Sequence, residues 1–169
     1  RSMDSIGATH AALGSGMNNM VYALAFAPYT GKLYAGGAFT TAGGVTISRI
    51  ARWNGSSWSA LGTGANSSVR ALVWDSVGGN LYAGGDFPYT GGVYAKCVAK
   101  WNGSTWSALG SGMDGSVYAF SILGSDLYVG GNFNVAGSLT VNRVTKYILS
   151  PSNAWGGVIG GDNAGMNGL

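Results

Sequence analysis

Glutamate and glutamine are missing from all 169 residues, cysteine and histidine occur once each, and charged residues make up only 9% of the chain. Each shortage removes a class of chemistry. Without glutamate, a general acid and base pair has to be drawn from Asp4, Asp75, Asp86, Asp114, Asp126 and Asp162, most of which sit in turn contexts where Asx-turn roles explain them. The one histidine, His10, cannot assemble a multi-histidine metal site, so no metal and no cofactor is expected. A single cysteine, Cys97, excludes an internal disulfide framework. The lysines and arginines, which leave a net charge of +3, are spread along the chain without forming a run. A nucleic-acid footprint needs a clustered basic stripe, so that partner is not expected. No apolar run approaches the roughly 18 residues needed to cross a bilayer, and membrane insertion is not expected either. The start, Arg1-Ser2-Met3-Asp4, has no signal-peptide core and reads as cytosolic, already processed, or cut from something longer.

What the chain does contain is 31 glycines, 46% hydrophobic residues and a repeat. Ala51-Arg52-Trp53-Asn54-Gly55-Ser56-Ser57-Trp58-Ser59-Ala60-Leu61-Gly62 returns as Ala99-Lys100-Trp101-Asn102-Gly103-Ser104-Thr105-Trp106-Ser107-Ala108-Leu109-Gly110, a shift of 48 residues. Leu33-Tyr34-Ala35-Gly36-Gly37 returns after 48 residues as Leu81-Tyr82-Ala83-Gly84-Gly85 and after a further 46 as Leu127-Tyr128-Val129-Gly130-Gly131. A fixed period of this size means stacked supersecondary units.

Each unit divides into four strand-sized pieces. The first is Val21-Tyr22-Ala23-Leu24-Ala25-Phe26 with its two copies, in which one parity is small and the other bulky. Both faces are apolar, so both should be buried, with Ala23, Ala71 and Ala119 near the axis against a neighbouring blade. The second strand ends at Gly36-Gly37, Gly84-Gly85 and Gly130-Gly131, where side chains would obstruct a close backbone approach. A variable connection follows. The third strand, 48–53 and its copies, leads through Asn54-Gly55 and Asn102-Gly103, read as two-residue hairpin turns, into a fourth strand over 57–61. In Cys97's place the other units carry Arg49 and Arg143, so a strand filler is favoured there over a reactive thiol.

Four antiparallel strands in about 48 residues, repeated, predict an all-β propeller, with a solenoid as the rival architecture. The single repeat domain, 1–169, then divides into an orphan fourth strand at 6–16, blades at 20–62, 68–110 and 116–157, and a glycine-rich tail at 158–169. Around 150–157 the Asn-Gly turn and fourth strand are degraded. Three blades are fewer than a ring needs, so the expected partners are other copies of the chain or further blades of a longer one.

The string from Gly31 through Gly36-Gly37 to Trp53-Asn54-Gly55-Ser56-Ser57-Trp58 is similar to kelch-type repeats. It resembles still more closely the Trp-Asn-Gly-Ser-Ser-Trp repeats of large secreted bacterial surface proteins. That resemblance implies a propeller scaffold in which Trp53, Trp58, Trp101, Trp106 and the three glycine pairs are structural. It also implies an extracellular or cell-surface location. Enzymatic relatives of kelch-like propellers hold copper through His and Tyr, and His10, standing where other units have Trp58 and Trp106, departs from that pattern. The expected function is therefore non-enzymatic: a structural, adhesive or protein-interaction module. The alternative is a lectin binding glycans on the face formed by the 2–3 and 4–1 loops, with Asp86, Tyr89, Tyr94, Asp114 and Asn132 as its candidate residues. Asn54, Asn66 and Asn102 head sequons, but turn chemistry already accounts for Asn-Gly at two of them.

Overall fold

An apolar strand with one bulky and one small face gains by covering both. The computed structural model shows both covered in the middle blade, while the bulky face of the first copy and the small face of the third are exposed. It describes residues 2–3, 9–149 and 154–156. The tail at 158–169, the degraded turn at 150–153 and the opening of the orphan strand at 6–8 lie outside the described residues. In chain order the strands are β1 (Ser2–Met3), β2 (Thr9–His10), β3 (Val21–Ala27), β4 (Lys32–Gly37), β5 (Thr41–Ala42), β6 (Val45–Thr46), β7 (Ile50–Trp53) and β8 (Trp58–Ala60). The next unit has β9 (Val69–Asp75), β10 (Asn80–Gly85), β11 (Tyr89–Thr90), β12 (Val93–Tyr94), β13 (Val98–Trp101) and β14 (Trp106–Ala108). The last has β15 (Ser116–Leu123), β16 (Asp126–Asn132), β17 (Val135–Ala136), β18 (Leu139–Thr140), β19 (Val144–Ile148) and β20 (Ala154–Gly156).

These strands form three antiparallel sheets, β3-β4-β7-β8, β9-β10-β13-β14 and β15-β16-β19-β20, which are the three blades. Small hairpins β5-β6, β11-β12 and β17-β18 fill the connection between second and third strands, and β1 pairs with β2. No described residue is helical. First strands of consecutive blades lie side by side, β3 against β9 and β9 against β15, as in a propeller.

The two faces of the first strand go to different neighbours. Between blades one and two, Ala23, Ala25 and Tyr34 of one pack with Leu72 and Trp74 of the next, and Tyr34 stacks on Trp74 with ring centroids 5.8 Å apart. Between blades two and three, Val73 and Tyr82 pack with Phe120 and Ile122. The small face thus meets the following blade and the bulky face the preceding one. Ala71 is buried as the sequence predicts, but Ala119, which faces away from blade two, is exposed. Beneath the loops Phe39, Phe87 and Phe133 are fully buried. Each contributes on the order of 1.5–3 kcal/mol.

A second inter-blade tie runs along the rim. Trp58 Nε1 donates to the Leu13 carbonyl at 2.9 Å, Trp106 Nε1 to that of Leu61 at 2.8 Å, and Trp155 Nε1 to that of Leu109 at 3.0 Å. Leu13 therefore stands to blade one as Leu61 stands to blade two. The rings also pair within each blade: Trp53 with Trp58 and Trp101 with Trp106 at 5.3 Å, and Tyr147 with Trp155 at 4.7 Å.

Three local expectations are corrected. The Asn-Gly turn is not a two-residue loop: Trp53 pairs with Trp58, leaving the four residues 54–57 between them. Asn54 Oδ1 accepts the amides of Ser56 and Ser57, both at 2.9 Å, and so replaces the strand partner those amides lack. The third strand begins at Ile50 rather than Ser48, because Arg49 has φ 65°, as Cys97 and Arg143 have 71° and 75°, a left-handed conformation that no strand can include. The Asx-turn role fits Asp75, whose Oδ1 accepts the Val77 amide at 3.0 Å, but Asp126 instead pairs with Lys146 Nζ at 2.9 Å.

Candidate functional site

Each first strand carries a β-bulge near its start. Val21 and Ala23 pair with Gly37 and Gly36, Val69 and Ala71 with Gly85 and Gly84, and Val117 and Ala119 with Gly131 and Gly130, so that Tyr22, Arg70 and Tyr118 are each the unpaired extra residue. A bulge re-aims its side chain. Here it brings three repeat-equivalent residues from three blades into one ladder, with the Arg70 guanidinium carbon 5.3 Å from the Tyr22 ring centroid and 5.5 Å from that of Tyr118. Alternation of the strand does not show this, because the bulge breaks the period of two.

Asp86 completes the ladder. Its carboxylate takes Arg70 Nε at 2.9 and 2.8 Å and Arg70 Nη2 at 2.7 Å, a two-pronged pair, and Ser116 of the next blade also bonds to it. Burial pushes the Asp86 carboxyl up, but the bonds from Arg70 and Ser116 and the Arg70 charge outweigh it and hold the group below its ordinary value. The guanidinium is correspondingly raised, first by its bond to Asp86. An acid of this kind stays ionised and spoken for.

Asp114 is likewise engaged. Its Oδ1 accepts the amides of Asn134 and Val135, both at 2.8 Å, and the Val135 bond is the first cause of its lowered pKa. The equivalents 48 residues apart do the same work: Asn18 Oδ1 accepts from Thr40 at 2.8 Å and Thr41 at 3.0 Å, and Asn66 Oδ1 accepts from Tyr89 at 3.1 Å. This position staples the 4–1 link to the hairpin of the 2–3 connection. Its spacing was the signal that could have identified it.

Of the remaining candidates, Asn132 closes β16 opposite Ser116 and is exposed. Tyr89 and Tyr94 sit directly across from one another on β11 and β12, exposed, with ring centroids 5.0 Å apart. Beside Tyr89 lies an open groove of about 460 Å³ lined also by Arg49 and Asn66. The structure thus groups Asp86 with Arg70 and Tyr89 with Tyr94, while Asp114 serves the backbone. Burial pushes the Cys97 thiol up, away from reactivity. No group of three or more metal-type side chains occurs among the described residues.

The glycine pairs act as the sequence suggests. A Cβ at Gly37, Gly85 or Gly131 would collide with the backbone carbonyl of Met20, Ser68 or Ser116 respectively. In blades one and two the first glycine of the pair is instead a seat for the next blade: a Cβ on Gly36 would stand 2.5 Å from Val69 Cγ1, and one on Gly84 would collide with Val117 Cγ1.

Curated proteins offer no match to the chain. Residues 51–154, well over half of it, match the family described as the Rax2 C-terminal beta propeller domain. With three four-stranded blades joined through Trp latches and glycine seats, the chain belongs to that propeller family.

Proposed function

We propose that the chain is a non-enzymatic interaction module whose loop face, carrying the 2–3 and 4–1 links, docks a partner protein at the cell surface or outside the cell. Membership in a propeller family supports an interaction role, and the resemblance of the sequence around Trp53 to Trp58 to repeats of secreted bacterial surface proteins supports the location. The observation that carries the loop face is the exposed Tyr89–Tyr94 pair at the edge of a groove. Paired exposed aromatics offer large contact area at low entropic cost. The non-enzymatic reading rests on the engagement of Asp75, Asp86, Asp114 and Asp126 with Val77, Arg70, the 134–135 amides and Lys146.

The same aromatic pair favours a second reading, a lectin, since tyrosine rings stack on sugar faces and Asn66 and Arg49 offer polar groups beside them. Two assays separate the readings. Beads coated with the chain should adhere saturably to cells, and Tyr89→Ala with Tyr94→Ala should abolish adhesion while leaving the circular dichroism unchanged. Saturable signal on a glycan array, competed by free sugar and lost in the same double variant, selects the lectin. Adhesion that survives the double variant would remove the β11-β12 hairpin from the site.

A further inference from the structure

The contact between blades is made twice inside the chain by equivalent residues. Val69 and Leu72 press on Gly36, where a Cβ would stand 2.5 Å from Val69 Cγ1 and 3.3 Å from Leu72 Cδ1. Val117 and Phe120 press on Gly84 in the same way. The third such glycine, Gly130, has nothing within 4 Å of its Cβ position. Around it Ala119, Ser121 and Leu123 are exposed, and Tyr128 is half-buried where its equivalents Tyr34 and Tyr82 are buried. At the other end of the chain stand Val21, Leu24 and Phe26, the equivalents of Val69, Leu72 and Trp74, with 41%, 60% and 57% of their surface exposed. Beside Val21 and Leu24 opens an apolar groove of about 560 Å³, whose walls include Leu13, Leu33, Ala35 and Trp58.

These are the two halves of one interface. One end of the chain has the bulky residues with no glycine seat under them, and the other has the seat with no bulky residues on it. The rim latch shows how much is missing: Trp58 already bonds to Leu13, which fills the place of a preceding blade's fourth strand. What the blade preceding blade one lacks among the described residues is therefore its first three strands.

The geometry points to head-to-tail pairing with a second copy of this chain, in which β15, β16 and β19 of that copy dock on β3 and β4. Val21 then seats on Gly130 of the second copy and Phe26 lies on its Tyr128, as Trp74 lies on Tyr34 within the chain. The stretch from β2 to Leu13 takes the fourth place of the docked blade, which requires β20 to release the Trp155 bond to Leu109. Such a contact joins two different patches, so it closes a ring only if the rotation allows. Two copies joined reciprocally supply six blades, inside the range of about 4–8 that propellers use. A second copy fits better than an unrelated apolar partner, because the small residues at Gly130 and Ala119 are shaped for Val and Leu at this repeat's own spacing; a further blade of a longer chain would present the same residues, and a 169-residue chain that stays monomeric would select it instead. The pairing is independent of the loop-face reading, since none of these residues lies on the β11-β12 hairpin.

Light scattering on the purified 169-residue chain should show a dimer. Gly130→Val adds a side chain into open space within one chain, so that variant keeps its fold, yet in the pair it would strike Val21. It should raise the dimer dissociation constant on the order of tenfold or more. Leu24→Asp should do the same from the opposite face. In a Cys97→Ser background, Val21→Cys with Gly130→Cys should give a disulfide-linked dimer on oxidation. A chain that stays monomeric at its highest soluble concentration, a dimer indifferent to both single variants, or a disulfide formed between the two introduced thiols of one monomer would each overturn the pairing.

Discussion

Asp114 shows how a residue can look like chemistry and serve as scaffolding. Its carboxylate does what the side-chain carbonyls of Asn18 and Asn66 do elsewhere in the repeat, and charge adds little to that task. Asp114→Asn should therefore hold the staple and shift thermal stability by less than about 0.5 kcal/mol. Asp114→Ala loses both amide bonds at an exposed site and should cost about 1 kcal/mol. Calorimetry of the two variants checks this, and equal losses in both would mean that the charge matters after all. Asp86 behaves differently. Its folded pKa lies below the ordinary value, so its pair with Arg70 adds stability above the unfolded carboxylate pKa of about 3.9, and that stability is lost as pH falls through the folded value. The stability gap between the wild type and Asp86→Asn should be full at neutral pH and narrow in acid below about pH 4. A gap that did not change with pH would show that the pair contributes nothing through its charge.

At the scale of the strand, the blade was legible in the sequence because the repeat states it three times, and one copy corrects another. The bulge was not. Nothing in Val21-Tyr22-Ala23 marks the middle residue as extra, and only pairing against Gly36 and Gly37 reveals it. The Tyr22–Arg70–Tyr118 ladder was hidden with it, although its 48-residue spacing lay in plain view. The left-handed positions were hidden for another reason: Arg, Cys and Arg have no local preference for a positive φ, so tertiary packing sets that conformation against local preference. Of the candidate site residues, the sequence marks Asp86 without its partner Arg70, and Asp114 without the Asn134 and Val135 amides that its Oδ1 accepts. The directional packing of β9 and β15 yields a paired prediction for one substitution. Ala71 is 5% exposed, so Ala71→Leu should overpack and cost on the order of 1–3 kcal/mol. Ala119 occupies the same place in its strand but is exposed, and Ala119→Leu should change stability by less than about 0.5 kcal/mol. Both are best measured by denaturant unfolding in the Gly130→Val background, where docking of another copy on Ala119 does not intervene. A large loss in both variants would mean that the small face of β15 is covered within the chain.

For the whole molecule, stability in a stacked array is a sum of what each unit holds internally and what it shares with its neighbours. Among the described residues only the middle blade has another blade packed on both of its faces. Its Leu72 and Trp74 are held by blade one, its Val73 and Tyr82 hold blade three, and it owns a Trp latch in each direction, Trp106 to Leu61 and Leu109 to Trp155. Blade one gives up apolar surface at Leu24 and Phe26, and blade three does so at Leu123 and around Gly130. Local opening follows such differences in burial, so protection should be graded rather than uniform. Amide hydrogen exchange of the monomeric Gly130→Val variant should find β9, β10 and β13 slowest, with the equivalent strands of both outer blades opening at lower free energy. Closing the ring with a second copy would give every blade two neighbours, so in the wild type at high concentration β3, β4, β15 and β16 should slow towards the rates of β9 and β10. Exchange that is uniform across the three blades of the monomer would mean that the array unfolds as one unit, and that the uncovered faces cost it nothing locally.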